Sequence, residues 1–313
     1  MTIESSGALG LNGTCTGGSS ARNQIGAEVG KTAGTTLCMN NGCLRTLSAT
    51  GSGTALSFSN FYGKSNQYTY TIASNQTNFC IRAGAVSAGW NQSSKLVVNI
   101  NSGVILSANG TGAFGAYIQG SFPGGLTVNN AGTIVGAGGG GGSAGLWYAP
   151  NCCYGPGNSS SGTNGGGAGK GLYIRSAVSI NNTGVIAGGG GGGGGAGGGG
   201  NGAGGGGGGR SSAAVNAGGG GGQYGGDQYY GSGGGTGTYN SAGGGGYAGH
   251  YYYCYGRYQF PSGGDGGGWG SAGANGAGQC GGPGYGGSGG AATCGAPTYV
   301  TWIATGTRYG SIS

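Results

Sequence analysis

The chain has 313 residues, of which 94 are glycine and only 5% are charged, far from ordinary globular usage. A conventional apolar core over the whole length is therefore excluded, and so is collagen, because there is no strict glycine-every-third period and only 6 prolines occur. The net charge of +7 comes from 11 scattered Lys and Arg against Glu4, Glu28, Asp227 and Asp265, with no basic run, which argues against nucleic-acid binding.

The start, from Met1 to Gly7, lacks a positive segment followed by an apolar one, so no secretory signal is expected. No apolar window of membrane-spanning length occurs, and membrane insertion is not expected either. Nine cysteines without a repeated CxxC, beside the one histidine His250, point to disulfides before zinc. Cys38 with Cys43 and Cys280 with Cys294 are local candidates, and Cys152 or Cys153 could reach Cys254; the odd count leaves a thiol free or bonded to another chain.

Residues 1–65 carry one approximate motif three times, at 6–12, 36–40 and 52–60, each alternating small and apolar residues and ending at Asn. That reads as short strands stopped by turns, with a weak helical turn or two in 21–30. The segment is expected to be a small β-rich docking or assembly region, with Leu9, Leu11, Phe58, Phe61 and Tyr62 as docking candidates. Residues 66–135 form a second β-rich region. It opens with a strand at 68–73 and a short helix capped by Thr77 or Asn78, with Phe79, Arg82, Ala83 and Val86 on one face and Gly89 at the end.

A repeat follows. Val98-Asn99-Ile100-Asn101-Ser102-Gly103-Val104-Ile105 is echoed from Leu126 to Ile134 and from Val178 to Ile186. In each copy an apolar strand makes an Asn-Gly-type turn and returns on an apolar pair, and stacked copies would bury the Val and Ile positions as in a β-helix rung.

The last two copies run directly into glycine, at Gly136 and Gly188. From Gly188 to Gly209, 19 of 22 residues are glycine, and ordering such a run costs roughly 1–2 kcal/mol per residue or slightly more. Composition alone reads as a linker. Further glycine segments at short intervals favour a packed block over 136–297 instead. There, polyglycine-II-type helices without Cβ atoms approach closely and exchange backbone hydrogen bonds. Insertions of other composition would become loops at the ends of the block. They hold Trp147, Tyr148, Tyr154, Tyr224, Tyr229, Tyr230, Tyr239, Tyr251, Tyr252, Tyr253, Tyr255 and Tyr258. Tyrosine among Gly, Ser and Asn is the composition of adaptable recognition loops, so these are the receptor-binding candidates. Shielding of the glycine block fits the same residues. Residues 298–313 supply a C-terminal strand, near 299–304, that could return to the β-rich part. The expected fold class is mainly β and irregular with very little α-helix.

No catalytic, cofactor or metal site is expected. Asn164 to Gly171 imitates a phosphate loop but has Asn for the first Gly and Gly after Lys170. Asp227 and Asp265 could form a carboxylate pair only by folding, and His250 near Cys254 is a superficial pair in a tyrosine-rich segment.

SGALGLN near the start, SGTALSFSNFYGKS at 52–65, NFCIRAGAVSAGWNQ at 78–92, the VSINNTGVIAGGGG rung and the ending TWIATGTRYGSIS together carry a family likeness. The sequence resembles the Gly-rich tail-associated virion proteins, tail fibre or adhesin-like, of tailed bacteriophages. The resemblance implies stacked polyglycine helices with distal loops on the host surface and the other end docked on a fibre or baseplate. It implies no enzyme, a virion location after synthesis in the host cytoplasm, and a homo-oligomeric assembly. The implied partners are other virion proteins and a host polysaccharide or outer-membrane protein. The cysteine content departs from the family, and it keeps open a collar, neck or baseplate component held by disulfides.

Overall fold

The computed structural model describes residues 25, 29, 42–49, 60, 67–145, 160–197, 203–211, 232–246, 250–253, 256–259, 261–278 and 281–313. The chain divides into two compact units, 1–69 with 91–96 and 122–125, and 70–90 with 97–121 and 126–313.

In the first unit the described element of the N-terminal region is a helix, α1 (Gly42–Ser48), with Leu44 and Leu47 buried. The strand-and-turn reading did not contain it; the three motif copies lie, apart from Asn60, outside the described residues. The helix stops at Ala49, whose φ of 57° lies in the left-handed region.

The second unit is built from rungs. The first comprises β1 (Gln67–Ile72), β2 (Gln76–Thr77) and β3 (Phe79–Cys80), and the second β4 (Lys95–Ile100), β5 (Ile105–Ser107) and β6 (Phe114–Ile118). β7 (Leu126–Asn130), β8 (Thr133–Val135) and β9 (Lys170–Ile174) make the third; β10 (Val178–Asn182), β11 (Val185–Ala187) and β14 (Thr293–Gly295) make the fourth. The fifth has β15 (Val300–Ala304) and β16 (Thr307–Tyr309), and an isolated bridge joins Ile312 to Thr293. Like sides stack into three sheets, ordered β1-β4-β7-β10-β15, β2-β5-β8-β11-β16 and β3-β6-β9-β14. The result is a three-sided solenoid.

Each repeat copy is thus a corner. The strands on either side of the Asn-Gly turn do not pair with each other, as a returning hairpin would require; each pairs with its counterpart in the next copy. Ser179 to Asn182 run parallel to Thr127 to Asn130, and Val185 to Ala187 parallel to Thr133 to Val135. Alternation buries Leu126, Val128, Val178 and Ile180 on the inner face. Leu106, Ile134 and Ile186 stack in register on the second side, and Ile118 and Ile174 on the third.

The asparagines hold the corners. Asn130 Nδ2 donates to Asn182 Oδ1 at 2.7 Å with both residues buried, and Asn182 Nδ2 passes the chain on to the Thr305 carbonyl at 2.8 Å. A second ladder runs from Asn129 Nδ2 to Asn99 Oδ1 at 2.8 Å. Each satisfies polar groups that burial would otherwise leave unpaired. On the last rung Trp302 stacks on Ile180 and Arg308 on Ile186, and the Arg308 guanidinium lies 4.8 Å from the Trp302 ring centre.

The short helix α2 (Ile81–Ser87) starts later than Thr77 or Asn78. Asn78, at φ 50°, turns a corner, and its Oδ1 accepts from the Asn109 N–H at 3.0 Å. Phe79 pairs with Ala116 as a strand residue, and the buried helical side chains are Ile81 and Ala85 instead of Phe79 and Val86. Gly89, at φ 103°, follows the helix end as expected.

Candidate functional site

Both glycine insertions leave the solenoid at the same corner, between the second and third sides. One leaves β8 and returns at β9; the other leaves β11 and returns at β14. What they build is read from backbone bonds. Gly136, Gly139, Gly142 and Gly145 donate to the carbonyls of Ala187, Gly190, Gly193 and Ala196 at 2.8–3.0 Å. Gly189, Gly192 and Gly195 donate to Gly169, Gly166 and Thr163; Gly190, Gly193 and Ala196 donate to Arg210, Gly207 and Gly204; Gly191, Gly194 and Gly197 donate to Ser271, Ala274 and Ala277. Segments 264–267 and 284–290 donate back to carbonyls of the same run. Every N–H from Gly189 to Gly197 is satisfied, with a repeat of three and six surrounding segments.

Such proximity requires glycine. A Cβ on Gly192 would overlap the Gly140 carbonyl oxygen, and one on Gly194 that of Gly284. Ala196 and Ala203 interrupt the run where a methyl fits, and both are fully buried in a small cluster with Ala144.

Side chains fasten the block beside the solenoid corner. Trp269 is buried with Val135 and Ala187, its Nε1 donates to the Ser211 carbonyl at 3.3 Å, and Tyr239 meets it edge-on at 5.1 Å. The Arg210 guanidinium lies 3.7 Å from the Trp269 ring centre, and Arg210 Nε donates to the Tyr239 carbonyl at 2.8 Å.

Of the receptor-binding candidates, Tyr239 is thus half-buried packing at the corner, with its hydroxyl 3.4 Å from Thr133 Oγ1. Tyr251, Tyr252 and Tyr253 lie on strand β12 (His250–Tyr253) and Tyr258 on β13 (Gly256–Gln259), an antiparallel pair with Tyr251 opposite Tyr258 and Tyr252 opposite Arg257. Trp147, Tyr148, Tyr154, Tyr224, Tyr229, Tyr230 and Tyr255 lie outside the described residues, as do Leu9, Leu11, Phe58, Phe61 and Tyr62. So do Cys38, Cys152, Cys153, Cys254 and Cys280, while Cys43 falls on α1.

Cys294, expected to pair with Cys280, is a free thiol. The register of β14 sets it beside Tyr173, where its Sγ accepts from Lys170 Nζ at 3.5 Å. Lys170 opens a strand where a phosphate loop needs a helix, Asn164 Oδ1 accepts from the Tyr285 N–H, and Asp265 Oδ1 accepts from the Gly245 N–H at 2.7 Å. His250 pairs in register with Gln259. Among the described residues no cluster of three metal-ligating side chains occurs, and no helix is long and apolar enough to cross a membrane.

A three-sided solenoid with glycine-built insertions defines a β-solenoid protein. Residues 67–313 match the family model of the phage tail fibre adhesin Gp38, and the chain belongs to that family, a host-recognition component of the virion tail. It is also similar to a chain in the crystal structure of the gp37-gp38 adhesin tip complex of the bacteriophage S16 long tail fiber. The identity is 20% and the TM-score 0.47, covering 96% of this chain and 99% of that one. No curated protein matches the sequence. Membership of an adhesin family does not favour the collar, neck or baseplate alternative.

Proposed function

We propose that the chain is a non-enzymatic adhesin in which a bundle of polyglycine-II helices holds tyrosine-rich loops still against the host surface. The observation that carries this reading is the run from Gly189 to Gly197, which is bonded at every N–H with a period of three and enclosed by six other segments. Three residues per turn is the polyglycine-II repeat. A rigid block lowers the entropy that its loops lose on binding, which is what a recognition surface needs.

The recognising stretches in this reading are 146–164, 223–230 and 238–262, with Trp147, Tyr148, Tyr154, Tyr224, Tyr229, Tyr230, Tyr251, Tyr252, Tyr253, Tyr255 and Tyr258 as contacts. Their partner is a host outer-membrane protein or polysaccharide. Residues 1–65 dock on other tail fibre proteins through Leu9, Leu11, Phe58, Phe61 and Tyr62, after synthesis in the host cytoplasm. Exchange of the three stretches between phages of different host range tests the reading. Transfer of host range with unchanged particle yield is expected; unchanged host range would overturn it.

A further inference from the structure

The third side of the solenoid carries a row that neither the repeat pattern nor the loop composition points to. Register aligns Cys294, Tyr173, Tyr117 and Cys80 across four parallel strands. Phe114 joins them, its ring 4.6 Å from Tyr173 and 5.4 Å from Tyr117, and the Lys170 ammonium lies 6.0 Å from its centre. At one end of this row an open pocket of about 510 Å³ is lined by Tyr173, Arg175, Cys294, Gly295, Ala296 and Tyr299.

The pocket is built by the chain leaving the sheet. Gly295, at φ 147°, sits so close to the Ile174 carbonyl that a side chain could not be placed there. A 3-10 turn at Pro297–Tyr299 then adds Tyr299, 44% exposed, to the lining. The Arg175 guanidinium lies 5.5 Å from the Tyr173 ring centre. Of the chain's four acidic side chains only Asp265 is among the described residues, and it is engaged at Gly245. No acidic side chain among the described residues therefore neutralises Arg175 or Lys170.

We propose that this pocket binds an anionic saccharide unit, its ring against Tyr173 and Tyr299 and its acid group on Arg175. Aromatic faces carry negative charge that attracts the polarised C–H groups of a pyranose. A guanidinium supplies the planar fork that takes a carboxylate or phosphate in a paired hydrogen bond. The volume lies within the range of small-molecule pockets. An acidic protein surface would need an extended face; a single concavity with one cation suits a sugar residue.

Saturation-transfer NMR on the full-length protein tests this with glucuronic acid, glucose 6-phosphate and glucose as probes. Glucuronic acid or glucose 6-phosphate should bind and glucose should not, and whichever of the two binds identifies the acid group. Arg175→Gln should weaken that binding by roughly tenfold or more, the weight of one charge-assisted pair. Tyr299→Ala, at an exposed position, should weaken it while leaving the thermal transition in place. Equal binding of glucose, no binding of either acid, or binding that survives both substitutions would overturn the proposal. So would loss of fibre assembly in the variants without any sugar signal, which would make the face a protein contact. Arg175 and Tyr299 lie outside the stretches exchanged in the host-range test, so a signal that depends on them and a host range that depends on those stretches fail separately.

Discussion

Ile180 and Gly192 are both enclosed by other parts of the chain, one because its side chain fills the space inside a rung and the other because it has no side chain. In the solenoid, backbone pairing only stacks the rungs, and the Val, Leu and Ile columns and the Asn ladders choose the register. In the glycine block, backbone pairing is nearly the whole structure. Each bond contributes about 1 kcal/mol net, against a larger ordering cost than for any other residue. The lesson is that equal burial hides opposite tolerances. The rungs resist loss of volume, whereas the enclosed glycines of the block resist gain.

The largest effect should come from Gly192→Ala. Its methyl meets a carbonyl that is already hydrogen-bonded, since the Gly140 oxygen accepts from Gly166 at 2.7 Å. A backbone so held cannot yield as a flexible side chain would. We expect a loss of about 4 kcal/mol or more, at the extreme for a single substitution, measured by chemical denaturation. A loss below about 1 kcal/mol would mean that the segments are packed more loosely than the bonding pattern requires.

Ile180→Ala should cost about 3 kcal/mol, within the usual range for a fully buried aliphatic. The comparison sharpens if Ile180→Val costs about 1 kcal/mol, because a rung gives up one methylene at modest cost where an enclosed glycine of the block cannot accept one methyl. Asn130→Ala should cost about 2 kcal/mol, since it strips a partner from Asn182, from the Val185 carbonyl and from the Gly132 N–H. If Asn130→Ala proved neutral, the ladders would be ornament to a register already set by the apolar columns.

How much of this was legible in the sequence follows the same division. The repeat at Val98, Leu126 and Val178 marked the rungs because inner and outer residues alternate with period two, and the strand near 299–304 was visible for that reason. The corner was not visible, because an Asn-Gly turn reads equally as a hairpin; only the spacing to the next copy, interrupted by long insertions, distinguishes them. Helix α1 was missed because Gly42–Ser48 is too short to show a period. Tyr173, Tyr117 and Phe114 went unremarked because their neighbourhood is made by register between residues 50 or more apart. Trp269 could have been found as a lone tryptophan inside glycine, where a large ring has nothing local to pack on.

The smallest expected effect separates two explanations of why the block is glycine at all. If glycine is required only by close approach, a residue of the same block that faces open space should accept a methyl. Gly268 is such a residue: it is exposed, its backbone lies outside the left-handed region, and a Cβ there would meet nothing within 4 Å. Gly268→Ala should then leave stability within about 0.5 kcal/mol of the parent, or raise it slightly through the narrower unfolded ensemble. A loss comparable to that of Gly192→Ala would point instead to backbone geometry that only glycine adopts. The contrast between the two parts of the molecule would then be one of conformation before it is one of space.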